Sequence, residues 1–87
     1  MAFIFDPVKS RSNKEKHGID FIEAQFLWSD PKLVCIPSRH LDEDRFIFIG
    51  SIEDKIWSAI VTYRDETIRI ISVRRSRGKE VRIYEGN

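Results

Sequence analysis

The sequence predicts an α+β domain, on three observations. Apolar residues recur at helical spacing in the first third, and they alternate at strand spacing from Leu33 onward. The polar pairs Glu53-Asp54 and Arg64-Asp65 separate the alternating runs closely enough for hairpins. The expected architecture is an antiparallel sheet of about four strands, with two N-terminal helices on one face and a C-terminal helix. Eighty-seven residues fit one domain, 1–87, with a single core.

The elements follow in order. Phe3-Ile4-Phe5 is a short apolar segment, and Asp6-Pro7 is a helix start in which Asp caps free N–H groups and Pro takes the first turn. This helix runs to about His17, with Gly18 as its left-handed stop. Beyond Val8 it has almost no apolar stripe, so it is either a thin surface layer or its polar face meets something. Asp20-Phe21-Ile22-Glu23 resembles a capping box, and Phe21, Ala24, Leu27 and Trp28 form a core-facing stripe that ends at Ser29-Asp30-Pro31.

Strands are expected near Leu33 to Ile36, then over Arg45 to Ile52, Lys55 to Tyr63 and Glu66 to Arg74, the last three as an antiparallel meander. In the middle strand Trp57, Ala59, Val61 and Tyr63 share the face under the helices, and Ile56, Ser58, Ile60 and Thr62 share the other. Ile68 and Ile70 oppose Ile71 and Val73, which predicts either a strand buried on both faces or a bulge near Ile70-Ile71. Ser76 is placed to cap a final helix carrying Val81 and Tyr84 on one side.

With 41% hydrophobic and 33% charged residues the chain reads as globular. No apolar run reaches the roughly 20 residues that span a bilayer, and there is no basic-then-apolar secretory signal, so a cytoplasmic protein is expected. One cysteine and two histidines give no disulfide framework and too few ligands for structural zinc, so no metal or cofactor is expected. Cys35, within Leu33-Val34-Cys35-Ile36, is expected to be a buried, inert thiol.

The net charge is only +1, yet seven basic and three acidic side chains fall between Arg64 and Arg82, a local net of +4. That concentration marks a candidate phosphate-binding surface. Arg74 and Arg75 alternate sides of an extended strand, so only one of them faces a given site.

The residues carry a family resemblance. Phe5-Asp6-Pro7 with Asn13-Lys14-Glu15-Lys16-His17-Gly18-Ile19-Asp20-Phe21 resembles the opening of the BrnT toxins of bacterial type II toxin-antitoxin modules. Phe26-Leu27, Asp30-Pro31, Arg39-His40, Asp44 to Gly50 and Arg69 to Arg75, with Glu80 and Tyr84, continue the likeness along nearly the whole chain. Gly78, where the family has a better helix former, and Phe5, where it usually has Trp, depart from the pattern. The resemblance implies a RelE-like fold and a ribonuclease toxin that inhibits translation and growth. It also implies neutralisation by a BrnA-type antitoxin with a ribbon-helix-helix part, and contact with operator DNA only through the toxin-antitoxin complex.

RNA cleavage without metal needs a base for the 2′-OH proton, cations for the phosphate charge of the transition state, and an acid for the 5′-oxygen. The available catalytic parts are Arg74, His17, Lys16, Arg39, His40, Glu80 and Tyr84. Histidine titrates near neutrality, so His17 and His40 are acid-base candidates, against a helix cap for the first and a solvated loop residue for the second. Arg74 offers a bidentate donor fork at a strand end, against a surface arginine paired with an acidic neighbour. Glu80 is a base, an orienter of Arg74 or a cap, and Tyr84 stacks on a base, donates its hydroxyl or packs on the sheet. Arg75, Arg77, Lys79 and Arg82 are RNA-binding charges that track the backbone. A non-catalytic module that binds nucleic acid or antitoxin through a basic sheet is the alternative.

Overall fold

A computed structural model describes residues 2–39 and 43–86, with Arg39 through its backbone alone. The chain runs β1 (Ala2–Ile4), α1 (Pro7–His17), a 3-10 helix (Glu23–Ser29), β2 (Val34–Arg39), β3 (Asp44–Ile52), β4 (Lys55–Arg64), β5 (Thr67–Arg75) and α2 (Gly78–Glu85).

The caps read from sequence set the bounds of α1. The Asp6 carboxylate accepts the Val8 N–H, and Gly18, at φ 82°, donates its N–H to the Lys14 carbonyl. The buried stripe of this helix is polar, and it docks by hydrogen bonds. Ser10 Oγ accepts the Phe21 N–H at 2.9 Å. Asn13 Nδ2 donates to the carbonyls of Ile19 and Val73, both at 2.8 Å, and Oδ1 accepts the Val73 N–H at 3.2 Å. The polar face of α1 thus meets backbone.

The capping box at Asp20 forms as expected, with Asp20 Oδ1 accepting the N–H groups of Ile22 and Glu23 and Glu23 Oε1 accepting that of Asp20. The element that follows is a 3-10 helix rather than an α-helix. Its fully buried anchors Phe21, Ala24 and Leu27 are spaced by three, the period at which a 3-10 helix eclipses side chains on one face.

The sheet has five strands in the order β1-β5-β4-β3-β2. It is mixed, which corrects the expected antiparallel sheet of about four strands. β1 adds to β5 in parallel, Ala2 opposite Thr67 and Phe3 opposite Ile68. A three-residue strand that pairs across most of the chain leaves no local pattern by which to read its partner. The β3–β4 hairpin turns on Glu53 and Asp54, both at positive φ (48° and 69°), which matches the twist of the flanking strands. The bulge expected near Ile70-Ile71 is present. Ile70 opposes Val61 and Ser72 opposes Ile60, so Ile71 is the extra residue.

One face of the sheet, through Phe48, Trp57, Ala59, Val61, Ile68, Ile70 and Val73, packs against Ile19, Phe21, Ala24 and Leu27. Tyr63 shares the Trp57 parity but lies exposed against Phe46. α2, whose side the sequence left open, packs on the opposite face. Ser58, between Trp57 and Ala59, projects to that face and donates to Glu80 of α2. α2 begins at Gly78 itself, and Ser76 hydrogen-bonds Ser58 Oγ instead of capping it. Cys35 is exposed rather than buried, because β2 is an edge strand; partial desolvation still pushes its thiol up, which keeps it protonated. No helix among the described residues is long and apolar enough to cross a membrane.

Candidate active site

The α2-bearing face of the sheet is built from three cross-strand rows. Val34, Ile49, Ser58 and Arg74 form the first, and Ile36, Ile47, Ile60 and Ser72 the second; Ser38 and Arg45, then Thr62 and Arg69, follow beyond. α2 packs against the first row, and the second is half-buried. The result is an apolar floor bordered by Arg45, Arg69 and Arg74.

Arg74 is held by Glu80 in a bidentate pair, Nη1 to Oε1 at 2.7 Å and Nη2 to Oε2 at 2.8 Å. The side chains of the pair are 19% and 11% exposed, so solvent screens the pair only in part. Glu80 Oε1 also accepts the Arg77 N–H at 2.8 Å and the Ser58 hydroxyl at 3.0 Å. Arg74 foremost, then these donors, outweigh the cost of burial and hold the Glu80 carboxyl at about 2. The guanidinium is raised in turn, by the same hydrogen bond. Two of its five N–H groups engage the carboxylate head-on and Nη1 also donates to the Arg75 carbonyl at 3.4 Å, which leaves Nε–H and the outer Nη2 hydrogen for another ligand.

Tyr84 lies one turn beyond Glu80, and its hydroxyl donates to Asp30 Oδ2 at 2.6 Å. Asp30 also accepts the N–H groups of Ser51 and Lys32 at 2.8 Å each. The Asp30 carboxylate first, with burial behind it, pushes the Tyr84 phenol up to about 12. Burial opposes ionisation of Asp30, and the hydrogen bonds from Tyr84, Lys32 and Ser51 overcome it, so its carboxyl sits below the usual range. Tyr84 therefore pins α2 to the turn after the 3-10 helix.

The other candidates divide by position. Arg75 faces away from Arg74, its guanidinium 5.5 Å from the Trp57 ring centroid on the helix-covered face. Arg77, Lys79 and Arg82 are exposed on or beside α2. Lys16 and His17 lie at the C-terminal end of α1, in a shallow cavity of about 180 Å³ that also reaches Ile71 and Ser72 of β5. Among the described residues no hydrogen bond or ion pair joins His17 or Lys16 to Arg74. Arg39 ends β2, three strand spacings or about 14 Å from β5. Its side chain, and His40, lie outside the described residues.

Ser58, Ser76 and Asp30 support the site, and Asn13 docks α1 beside it, although none of the four was a site candidate from sequence. Ser58 was legible in part, as a small hydroxyl in a strand of large apolar residues. Asn13 had a signal too, a polar residue on the only face by which a polar helix can dock. Arg45 and Arg69 emerge only once strand register places them on the same face as Arg74, across the half-buried second row.

The family model described as ribonuclease toxin, BrnT, of type II toxin-antitoxin system matches residues 5–80. No curated relative matches the chain.

Proposed function

This chain belongs to the BrnT family of type II toxin-antitoxin ribonuclease toxins, and from that premise we propose that it cuts RNA without metal on the α2-bearing face of its sheet. The observation that carries the reading is Arg74, fixed at a strand end by Glu80, partly exposed, with donors to spare. In the proposed reaction the ribose 2′-oxygen attacks the adjacent phosphorus and loses its proton to a base. The bond to the 5′-oxygen breaks, that oxygen takes up a proton, and the products end in a 2′,3′-cyclic phosphate and a 5′-hydroxyl. Arg74 stabilises the extra negative charge on the phosphate oxygens.

Glu80 orients Arg74 and does not serve as the base: a carboxylate held at about 2, with Oε1 accepting three donors, is too weakly basic at neutral pH. Tyr84, at about 12 and already donating to Asp30, is poorly suited to proton transfer as well. The proton transfers then fall to Lys16 and His17 from α1, or to Arg39-His40 from the β2–β3 connection. Arg77, Lys79 and Arg82 track the RNA backbone along α2. The protein partner is a BrnA-type antitoxin with a ribbon-helix-helix part, through which the pair contacts its operator DNA in the cytoplasm.

The pairing with Glu80 also supports a second reading, in which Arg74 only ties α2 to the sheet. Arg74→Ala and Arg74→Lys separate the two. Transition-state stabilisation predicts that Arg74→Ala loses about 10²–10³ in kcat on single-stranded RNA. It also predicts that the folded fraction of Arg74→Lys is intact while its cleavage stays low, because lysine lacks the planar fork. Full cleavage by Arg74→Ala, or wild-type activity abolished by a chelator, refutes the proposed mechanism.

A further inference from the structure

Lys9, Ser12 and Lys16 occupy one flank of α1, at positions i, i+3 and i+7, and all three are exposed. Together with His17, Ile71 and Ser72 they line the cavity at the open edge of β5. No acidic side chain lines this cavity, although Glu15 lies on the same helix. Lys14, by contrast, is taken up by Glu23 at 2.8 Å on the other flank. The cavity volume is that of about six waters at roughly 30 Å³ each. Ser72 belongs to the α2-bearing face, in the row next to Arg74, so the cavity opens where the candidate active face reaches the edge of the sheet.

We propose that Lys9 and Ser12 form a second phosphate subsite, which holds the RNA backbone one or more nucleotides away from the linkage that Arg74 and Lys16 engage. The inference rests on the active face assigned above, since it extends that face around the β5 edge. Lys9 and Lys16 are two turns apart, about 10.5 Å along the helix, so they contact separate phosphates, with Ser12 donating its hydroxyl between them. The flank is held rigid against β5 by the buried Asn13, whose side chain bonds both backbone groups of Val73. The bulge at Ile71 lies in β5 beside that flank, and Ile71 and the half-buried Ser72 line the cavity with it. An antitoxin segment fits this flank less well. Its lining is cationic and hydroxylic, with Ile71 as the one apolar side chain, whereas a protein interface is anchored by buried apolar or aromatic groups.

The test is binding of 2′-O-methyl octauridylate, which lacks the attacking hydroxyl, so the measurement does not depend on Arg74 chemistry. Lys9→Glu should weaken binding about tenfold at 0.1 M salt, and it should flatten the slope of log K against log salt by about 0.7, the value for one single-strand phosphate. Ser12→Glu should weaken it in the same direction. Glutamate is favourable in the first turn of a helix, so Lys9→Glu should fold. Lys55→Glu, the same charge change at the exposed start of β4, should leave affinity unchanged. An unaltered slope in Lys9→Glu, or an equal loss in Lys55→Glu, overturns the subsite. So does loss of antitoxin neutralisation by Lys9→Glu with RNA affinity intact. Failure of the active-face reading is scored separately, by cleavage in Arg74→Ala.

Discussion

Replacing Glu80 by glutamine tests whether the Arg74 pair is the electrostatic anchor of α2. The carboxyl lies at about 2 in the folded chain against an ordinary 4.5. A depressed carboxyl stabilises the fold above its unfolded value, and that stability is lost as pH falls through the folded value. That difference corresponds to about 3 kcal/mol at neutral pH. The same linkage leaves about 1 kcal/mol at pH 3 and still less at pH 2. In Glu80→Gln this contribution is gone at every pH, and Arg74 keeps its charge throughout the window. Urea unfolding followed by tryptophan fluorescence should therefore show wild type ahead of Glu80→Gln by about 3 kcal/mol at pH 7. The gap should shrink by about 2 kcal/mol on going to pH 3. Other carboxylates titrate in the same range, notably Glu23 and Asp30, whose carboxyls are also lowered. They are common to both proteins and cancel in the difference. A gap that does not change between pH 7 and pH 3 would refute the electrostatic reasoning and leave only packing.

Asn13→Ala removes three hydrogen bonds from the Ile19 and Val73 backbone; the expected cost is about 2–4 kcal/mol, with faster hydrogen exchange at the Val73 amide than at amides elsewhere in β5. Tyr84→Phe removes the 2.6 Å bond to Asp30, with an expected cost of about 1.5–3 kcal/mol for a charged acceptor. Ultraviolet titration of the wild type should show a phenol ionising near 12 that is missing from Tyr84→Phe.

Elements governed by neighbours in sequence were legible. Asp6-Pro7 and Gly18 bounded α1, the capping box at Asp20 formed, and the clash of parity between Ile70 and Ile71 resolved into a bulge. Elements governed by distant partners were not. The parallel pairing of Phe3 with Ile68 depends on residues 65 apart, and the side of the sheet taken by α2 depends on Ser58 reaching Glu80. The site follows the same division. Arg74 and Arg75 were placed on opposite faces by strand alternation alone, and the structure agrees. That Glu80 engages Arg74, rather than standing free as a base, needed the turn at Ser76-Arg77 to bring α2 back across β4. Cys35 misled because an apolar sequence context does not distinguish a central strand from an edge.

Asn13 also bears on how the molecule avoids itself. β1 covers only the first part of β5, and the remainder would present bare N–H and C=O groups to any passing strand. At Val73 both groups are already occupied by one side-chain amide, which imitates a neighbouring backbone. At the far side of the sheet Pro37 lies within the edge strand β2 and offers no N–H. Each margin thus carries a local device against strand addition, the Asn13 amide at Val73 and a proline in β2.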